Sequence, residues 1–201
     1  MGSLVPDRLN LSREVQRKSL HILTSIIPLG YYFYRSVTRE QIIVLCVFLT
    51  IGFLLVDLLR FFSGIVRTWF IRIFSRLLRP PELNRNLTGA TYLFMGLSLA
   101  VILFQREVAI PAMLFITLAD PFAAVAGKTM PLKIIWTKSL GGFIAFFLVA
   151  TACVLAVTDF GLNGITVAFL AAVVEILPLK LNDNITIPLV SGYLFIISQM
   201  I

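Results

Sequence analysis

The sequence has little charge, and acidic residues are the scarcer charged type. Only 13% of its 201 residues are Asp, Glu, Lys or Arg, with 10 acids against 17 bases. This share is about half of that in soluble domains. Hydrophobic residues instead make up 59% of the chain, and the mean hydropathy is +0.96. This composition excludes an ordinary soluble domain and predicts an integral membrane protein.

Cysteine, repeats and low-complexity segments are also scarce or absent. Cys46 and Cys153 both lie in apolar runs, so buried free thiols are expected there. Without a polar segment long enough for a soluble domain, residues 1–201 are interpreted as a single integral membrane domain. In such a protein an excess of bases is typical of cytoplasmic loops and of contact with anionic lipids, rather than of nucleic-acid binding.

Seven apolar runs are about long enough to cross a bilayer as helices, which takes roughly 17 residues or more. They are 18–34, 42–62, 88–104, 108–125, 140–157, 164–179 and 185–201. The fold is therefore predicted to be all-α and polytopic, with about seven transmembrane helices.

The distribution of basic residues predicts the orientation of these helices. If the N-terminus is cytoplasmic, every Lys and Arg except Arg35, Arg39 and Arg106 falls in a cytoplasmic segment. This agrees with the positive-inside rule. The predicted location is the cell membrane of a prokaryote, or the membrane of the endoplasmic reticulum if the source is a eukaryote.

Arginines also punctuate the segment 62–80, where aromatic and aliphatic residues lie between them. They are Arg67, Arg72, Arg76 and Arg79. Their near-helical spacing predicts a basic amphipathic helix over about 63–79, lying in the cytoplasmic membrane interface. Anchoring to anionic lipid is one interpretation, and access of a lipid substrate to a site is the alternative.

Three carboxylates lie within apolar runs, although an acid at a helix centre costs about 2.5–3.5 kcal/mol on insertion scales. They are Asp57, Asp120 and Glu175. Arg60 follows Asp57 by three residues, which predicts an ion pair. Asp120 has no such partner, and Pro121 frees a backbone carbonyl one turn earlier, as is typical of a polar pocket. A functional role is therefore favoured for Asp120.

Further polar residues precede and follow these runs. Glu14, Arg17, Lys18 and His21 share one helical face, which favours a site role for the single histidine. Gly127 and Lys128 do not complete a Walker A motif, because no strand precedes them and no glycine occupies position 122. With Lys133 and Lys138 nearby, they predict a phosphate cradle; a solvated basic loop is the alternative.

All of these polar groups map to the cytoplasmic side. A transporter would carry them nearer the bilayer midplane, whereas an enzyme that joins a soluble phosphorylated donor to a lipid would gather them at one interface. Acids and amides suit Mg²⁺, and lysines suit phosphate.

Five segments in this order resemble one known family, the CTP-dependent lipid kinases. They are EVQRKSLH (14–21), LTGATYLFMG (87–96), ADPFAAVAGK (119–128), TKSLGG (137–142) and NDNITIPLVSG (182–192). The family includes dolichol, phytol and yeast-type diacylglycerol kinases, and is distantly related to phosphatidate cytidylyltransferase. The resemblance spans nearly the whole chain. It implies transfer of the γ-phosphoryl of CTP, or of another nucleoside triphosphate, to a polyprenol, a phytol-like alcohol or diacylglycerol.

The resemblance also implies roles for the matching positions, with about 120–142 as the nucleotide loop. Catalytic roles fall on His21, Glu14 and Asp120. Nucleotide phosphates are assigned to Arg17, Lys18, Gly127, Lys128, Lys138 and Ser139. Mg²⁺, or another divalent cation, is assigned to Asp120, Asp183, Asn184 and Glu175. Gly89 and Thr91 match a further G-A-T motif.

The chain departs from the family pattern at Gly141, where the family usually has glutamate, and at Phe143, which replaces a small hydroxyl residue. Gly141 favours one alternative function, a non-catalytic lipid-binding or transport protein. An enzyme like phosphatidate cytidylyltransferase is the other. The expected partners are a lipid alcohol, a nucleotide and membrane lipids, without nucleic acid, and a homodimer is one option for the assembly.

Overall fold

The computed structural model describes residues 8–83, 86–130, 132, 134–135, 138–179 and 181–200. Most of them are helical. The α-helices are α1 (Arg8–Thr24), α2 (Ile26–Phe33), α3 (Arg39–Phe62), α4 (Gly64–Phe74), α5 (Gly89–Leu103), α6 (Arg106–Leu114), α7 (Asp120–Thr129), α8 (Leu140–Val157), α9 (Gly161–Ile176) and α10 (Asp183–Ser198). A 3₁₀ turn covers Pro80–Leu83, and a π-helical turn, Phe115–Ala119, joins α6 to α7.

Three helical segments are long and apolar enough to cross a membrane, by length and composition. They are Arg39–Phe62, Arg106–Thr129 and Leu140–Val157. Three shorter apolar helices, α5, α9 and α10, match further predicted runs, and the first run coincides with α1 and α2. The helical class is confirmed, and membrane association is indicated by these segments. The count of seven spans stays a prediction.

The segment Arg106–Thr129 is the central element of the bundle. Its apolar window is 78% buried inside the protein, against 17% for α3. Around it pack α1, α8 and α10. The centre of the core contains Phe115, whose ring lies 6.0 Å from that of Phe146 and 5.7 Å from that of Phe195. Asp120, five residues after Phe115 on the same segment and itself 5% exposed, therefore follows directly on this packed core.

The prediction that residues of about 120–142 form a loop is wrong for the first half of this range. Residues 120–129 form α7, which continues the central helix through Asp120 and Pro121. The π turn makes this continuation feasible: the backbone N–H of Asp120 donates to the carbonyl of Phe115, five residues back. This wider turn provides room for the Pro121 ring. It also accommodates the loss of the backbone N–H that proline lacks. Lys133 lies outside the described residues.

The non-helical half of that segment contains a small hairpin, which adds a β element to the predicted all-α fold. Strand β1 (Ile134–Ile135) pairs antiparallel with β2 (Lys138–Ser139), so that Ile135 lies opposite Lys138. The side chain of Ser139 caps α8 by accepting a hydrogen bond from the N–H of Gly142 at 3.1 Å. The hairpin thereby fixes Lys138 just before α8.

The predicted amphipathic helix over about 63–79 is shorter in the structure. Helix α4 begins after its cap Ser63 and ends at Phe74, and a tight turn follows, with the Leu77 N–H donating to the Phe74 carbonyl at 2.8 Å. A helical conformation is also disfavoured for Arg79 itself, because it directly precedes Pro80. Arg79 therefore leaves the helical spacing on which the prediction depended.

Candidate functional site

Side chains from several helices meet in a polar cavity at one end of the bundle. The cavity has two adjoining lobes, of about 270 Å³ and about 310 Å³. Both lobes are bordered by Arg17, Lys18, Arg79, Asp120, Lys138 and Asp183. Single lobes add the other residues predicted for a site, namely Glu14, His21, Gly89, Gly127, Lys128, Ser139, Glu175 and Asn184. Among the predicted site residues that the structure describes, Thr91 alone lies away from both lobes.

Asp120 lies at the centre of this arrangement. Its Oδ2 atom accepts a hydrogen bond from the ammonium of Lys18, and the two side chains are only 7% and 6% exposed. The Nδ1 atom of His21 lies 4.0 Å from the same oxygen. This Nδ1 is buried and has no hydrogen-bond partner among the described residues. A buried polar atom of this kind is costly unless a ligand or water satisfies it.

Glu14 joins α1 to α7. Its carboxylate binds the guanidinium of Arg17 on its own helix, and its Oε2 lies 2.9 Å from the ammonium of Lys128. The Lys128 side chain remains 38% exposed, so it can also reach a ligand. Because both Glu14 oxygens already bind cations, the geometry favours His21 over Glu14 as a proton acceptor.

Lys138 forms a second charged centre. Its ammonium lies 2.9 Å from Glu175 Oε1 and 2.9 Å from Asp183 Oδ2, and it also donates to the backbone carbonyl of Glu175. Burial acts to lower the pKa of Lys138, but the two carboxylates outweigh it and raise the pKa above its ordinary value. Lys138 is therefore a permanent cation. The Oε2 atom of Glu175 is buried without a hydrogen-bond partner among the described residues.

The four predicted metal ligands do not form one cluster. Within the described ranges, no group of three or more His, Cys, Asp and Glu residues is arranged to hold a metal ion. Asp120 pairs with Lys18, whereas Glu175 and Asp183 share Lys138. Asn184 uses its amide N–H to donate to the Gly89 carbonyl at 3.0 Å. The Mg²⁺ assignment remains a prediction. Of the four residues, Glu175 and Asp183 are the two whose carboxylates contact the same side chain, that of Lys138.

An apolar cavity of about 470 Å³ adjoins the polar one. Helix α1 forms one side, and α3, α4 and α5 contribute the others. Arg17, His21 and Gly89 border both this cavity and a polar lobe. A long apolar ligand in this space would therefore place its polar end beside His21.

Thr91 belongs to a buried network rather than to the cavity. Asp57 Oδ2 accepts hydrogen bonds from the Thr91 hydroxyl at 2.6 Å, the Thr88 hydroxyl at 3.1 Å and the Thr88 N–H at 2.8 Å. Asp57 Oδ1 accepts from Arg60 Nε at 2.7 Å, which confirms the predicted ion pair. The G-A-T motif therefore ties α5 to α3.

Glu82 extends this network to the cavity wall. Its carboxylate accepts the N–H of Gly89 at 3.1 Å and the N–H of Arg79 at 3.0 Å. Burial raises the pKa of Glu82 above its ordinary value. The network thereby holds in place two residues that border the polar cavity.

Arg79 is the border residue that the sequence did not single out. In the sequence it reads as one more arginine of a membrane anchor, yet it borders both polar lobes, as Asp183 does. Its position at the end of the basic segment, directly before Pro80, is the only signal of a different role. Only the folded chain brings it to the loop before α10.

Gly141 is required by packing. A Cβ atom there would lie 2.3 Å from the carbonyl oxygen of Met130 and 3.4 Å from the Met130 Cβ. The first turn of α8 thus passes directly against the backbone at the end of α7. The glutamate of the family pattern cannot be added here without moving the backbone.

We expect Gly141→Glu to destabilise the protein without raising activity, because overpacking costs about 1–3 kcal/mol or more. The measurement is thermal unfolding in detergent, with Gly141→Ala against Gly52→Ala as a steric comparison. Gly52 is a matched helical glycine, since a Cβ there meets nothing within 4 Å. An unchanged melting temperature for Gly141→Glu would contradict the packing explanation.

The relatives found by comparison with known proteins match most of the chain, but their names give no activity. No family model and no solved structure matches the chain. The uncharacterized protein RP860 of Rickettsia prowazekii is 28% identical over 188 residues, which cover 88% of this chain and 90% of that protein. The uncharacterized protein MJ1137 of Methanocaldococcus jannaschii is 27% identical over 188 residues, covering 90% and 92%. The similarity thus includes most of each chain rather than one motif.

Proposed function

We propose that this protein is a membrane phosphotransferase that transfers the γ-phosphoryl of CTP, or of another nucleoside triphosphate, to the hydroxyl of a lipid alcohol. One observation carries the proposal: a cavity rich in cations adjoins an apolar cavity, and Arg17, His21 and Gly89 border both. A soluble phosphorylated donor and a membrane-resident acceptor would meet at this border. The order of five family-like segments supports the same reaction.

The proposal includes a topology of about seven spans with a cytoplasmic N-terminus. The polar cavity is built from α1, α7, the segments before α8 and α10, and the end of α9. These segments belong to the side on which nearly all Lys and Arg residues fall. A nucleotide from the cytoplasm would reach the cavity without crossing the bilayer.

The cations of the cavity suit the phosphates of the donor. Arg17, Arg79 and Lys128 border the lobes, and Lys128 and Arg79 keep solvent-exposed side chains. Phosphoryl transfer depends mainly on positioning and on neutralising charge on the phosphoryl oxygens. In this proposal these three side chains bind the donor, while Lys18 and Lys138, which pair with Asp120 and with Glu175 and Asp183, hold the acids of the site in place.

His21 is the residue that receives the proton of the lipid hydroxyl. The lipid oxygen attacks the γ-phosphorus, the bond from that phosphorus to the bridging oxygen breaks, and the nucleoside diphosphate leaves. The hydroxyl proton passes to Nδ1 of His21, which has no competing partner among the described residues. Asp120, 4.0 Å away, then stabilises the imidazolium, and Lys18 orients Asp120.

Glu175 and Asp183 fit a divalent cation better than Asp120 does. Glu175 Oε2 is a buried carboxylate oxygen without a partner among the described residues, and Asp183 is 37% exposed. Mg²⁺ is usually held by one or two carboxylates together with substrate phosphates. Bound there, the cation would supply neutralisation of the phosphate charge. Asp120 has Lys18 as its own partner, whereas Glu175 and Asp183 share the single ammonium of Lys138.

The direct test is phosphoryl transfer from radiolabelled CTP or ATP to a panel of lipid alcohols, with the purified protein in detergent and Mg²⁺. A labelled lipid phosphate is the expected product. A product that carries CMP, with release of pyrophosphate, would instead identify a cytidylyltransferase. If the protein binds no nucleotide in the presence of Mg²⁺, it belongs with non-catalytic lipid-binding or transport proteins, and the proposal is wrong.

Lys128→Ala is expected to raise the KM for the nucleotide by roughly tenfold to a hundredfold, with a smaller change in kcat. A hydrogen bond to a charged group contributes about 1.5–3 kcal/mol, and the exposed Lys128 would make such a bond to a phosphate. The measurement is the nucleotide dependence of the initial rate. Arg35→Ala, at the other end of the bundle, is the control. An unchanged KM would remove Lys128 from the donor site.

A further inference from the structure

The apolar cavity has walls suited to hydrocarbon. Aliphatic and aromatic side chains from four helices line it, among them Leu23 of α1, Phe53 of α3, Phe70 of α4 and Phe94 of α5. Phe53 and Phe94 stack with ring centroids 5.0 Å apart, so this wall is firm. Apolar walls with a few polar groups at one end are typical of sites for amphiphilic ligands.

The polar residues along the wall are already satisfied. Asp57, Glu82 and Thr88 line the cavity, but the Asp57 and Thr88 side chains bond to each other, and the Glu82 carboxylate binds backbone N–H groups. They therefore present few unsatisfied polar atoms to a chain lying beside them. The exception on this lining is the unpartnered Nδ1 of His21, at the end shared with the polar cavity.

The space is open to the side rather than closed. Helix α1 packs on α7 and the π turn, whereas α3 packs on α5 and α4, and the cavity lies between these two groups. Several lining side chains are also partly exposed, including Leu23 at 66%, Phe74 at 40% and Phe53 at 37%. A lipid can therefore enter laterally from a surrounding bilayer.

The volume of the apolar cavity limits how much hydrocarbon it can enclose. At ~30 Å³ for each water-sized group, the 470 Å³ of the cavity holds roughly 15 methylene-sized groups. This matches one hydrocarbon chain of about 15 carbons and is too little for two chains of that length. A second chain would have to remain outside, against the exposed faces of α1 and α3.

We propose that this cavity is a binding site for one hydrocarbon chain, and that the acceptor is a single-chain lipid alcohol, linear or isoprenoid, rather than diacylglycerol. The chain lies between α1 and α3–α5, beneath α4, and its terminal hydroxyl reaches Nδ1 of His21. The assignment of the hydroxyl as acceptor rests on the proposed phosphotransferase function, whereas chain binding does not.

The test is binding of radiolabelled hexadecanol and farnesol to the purified protein in detergent, without nucleotide, with dipalmitoylglycerol, each of whose two chains matches hexadecanol in length, as competitor. We expect saturable binding of the single-chain alcohols and competition by dipalmitoylglycerol at least tenfold weaker. Ala90→Phe and Val56→Phe, which fill the cavity from α5 and α3, should each weaken binding at least tenfold. Leu103→Phe is the control, since Leu103 lies at the far end of α5 and is 48% exposed.

The outcomes separate this inference from the proposed function. Equal competition by dipalmitoylglycerol, or undiminished binding by both cavity-filling variants, would overturn the single-chain site. Binding of hexadecanol that these variants weaken, without any phosphoryl transfer, would keep the site and overturn the phosphotransferase. Preferential phosphorylation of diacylglycerol would keep the phosphotransferase and overturn the single-chain acceptor.

Discussion

Replacing Asp120 by asparagine is expected to lower phosphoryl transfer by about 10²–10⁴-fold, the contribution typical of general acid–base catalysis. The amide keeps the shape of the carboxylate but loses the charge that binds Lys18 and faces Nδ1 of His21. His21 would then lose the group that stabilises its protonated form. The measurement is the initial rate with CTP and the best lipid acceptor, over a range of both substrates.

The same substitution also threatens stability, so the two effects need to be separated. Breaking a buried ion pair by removing one partner costs about 3–5 kcal/mol. Lys18→Met combined with Asp120→Asn removes the uncompensated ammonium and is expected to recover much of the melting temperature without recovering activity. Asp159→Asn, at an exposed position between α8 and α9, is the matched control. Full activity of Asp120→Asn in folded protein would exclude Asp120 from the mechanism.

The sequence predicted this part of the site because its signals are local. Glu14, Arg17, Lys18 and His21 lie at helical spacing, and an unpaired acid beside a proline, in a long apolar run, indicates a polar pocket. The structure brings Lys18 and Asp120 together, although they are 102 positions apart. Helical periodicity predicts which residues share a face, and the predicted topology places both at the same membrane surface. The exact partners still required the fold.

Other parts of the site depend on packing that leaves no trace in periodicity. Lys138 contacts Glu175 and Asp183 because the hairpin turns back beside the end of α9 and the start of α10. The π turn before Asp120 was likewise not predicted, because proline in an apolar run normally indicates a break. Arg79 reads as a membrane anchor until the fold places it at the cavity. Each of these depends on contacts between segments distant in sequence.

Gly141 shows how a pattern and a packing constraint lead to different interpretations. In the sequence, glycine stands where the family pattern has glutamate, which favours a non-catalytic protein. In the structure the neighbouring backbone of Met130 excludes a side chain. Two other carboxylates, Glu175 and Asp183, border the lobe that Lys138 also borders. The absence of glutamate at position 141 therefore does not leave the cavity without acids.

Replacing Asp57 by alanine is expected to cause the largest loss of stability among residues that do not border the polar cavity, about 3–5 kcal/mol. Asp57 accepts four hydrogen bonds, from Arg60 Nε, the Thr88 N–H, the Thr88 hydroxyl and the Thr91 hydroxyl. Arg60 is only 2% exposed and would lose its buried carboxylate partner. The measurement is the free energy of unfolding, or the melting temperature, in detergent.

The matched control for this prediction is the double variant Asp57→Leu with Arg60→Leu, which removes both buried charges. It is expected to be more stable than Asp57→Ala, because replacing a whole buried pair by apolar residues is often neutral. Asp57 reaches the polar cavity only through the segment that holds Gly89. Activity per folded molecule of Asp57→Ala should therefore fall less than that of Asp120→Asn. An unchanged melting temperature would show that Asp57 does not hold α3 to α5, whereas a loss of activity in fully stable protein would move Asp57 into the reacting site.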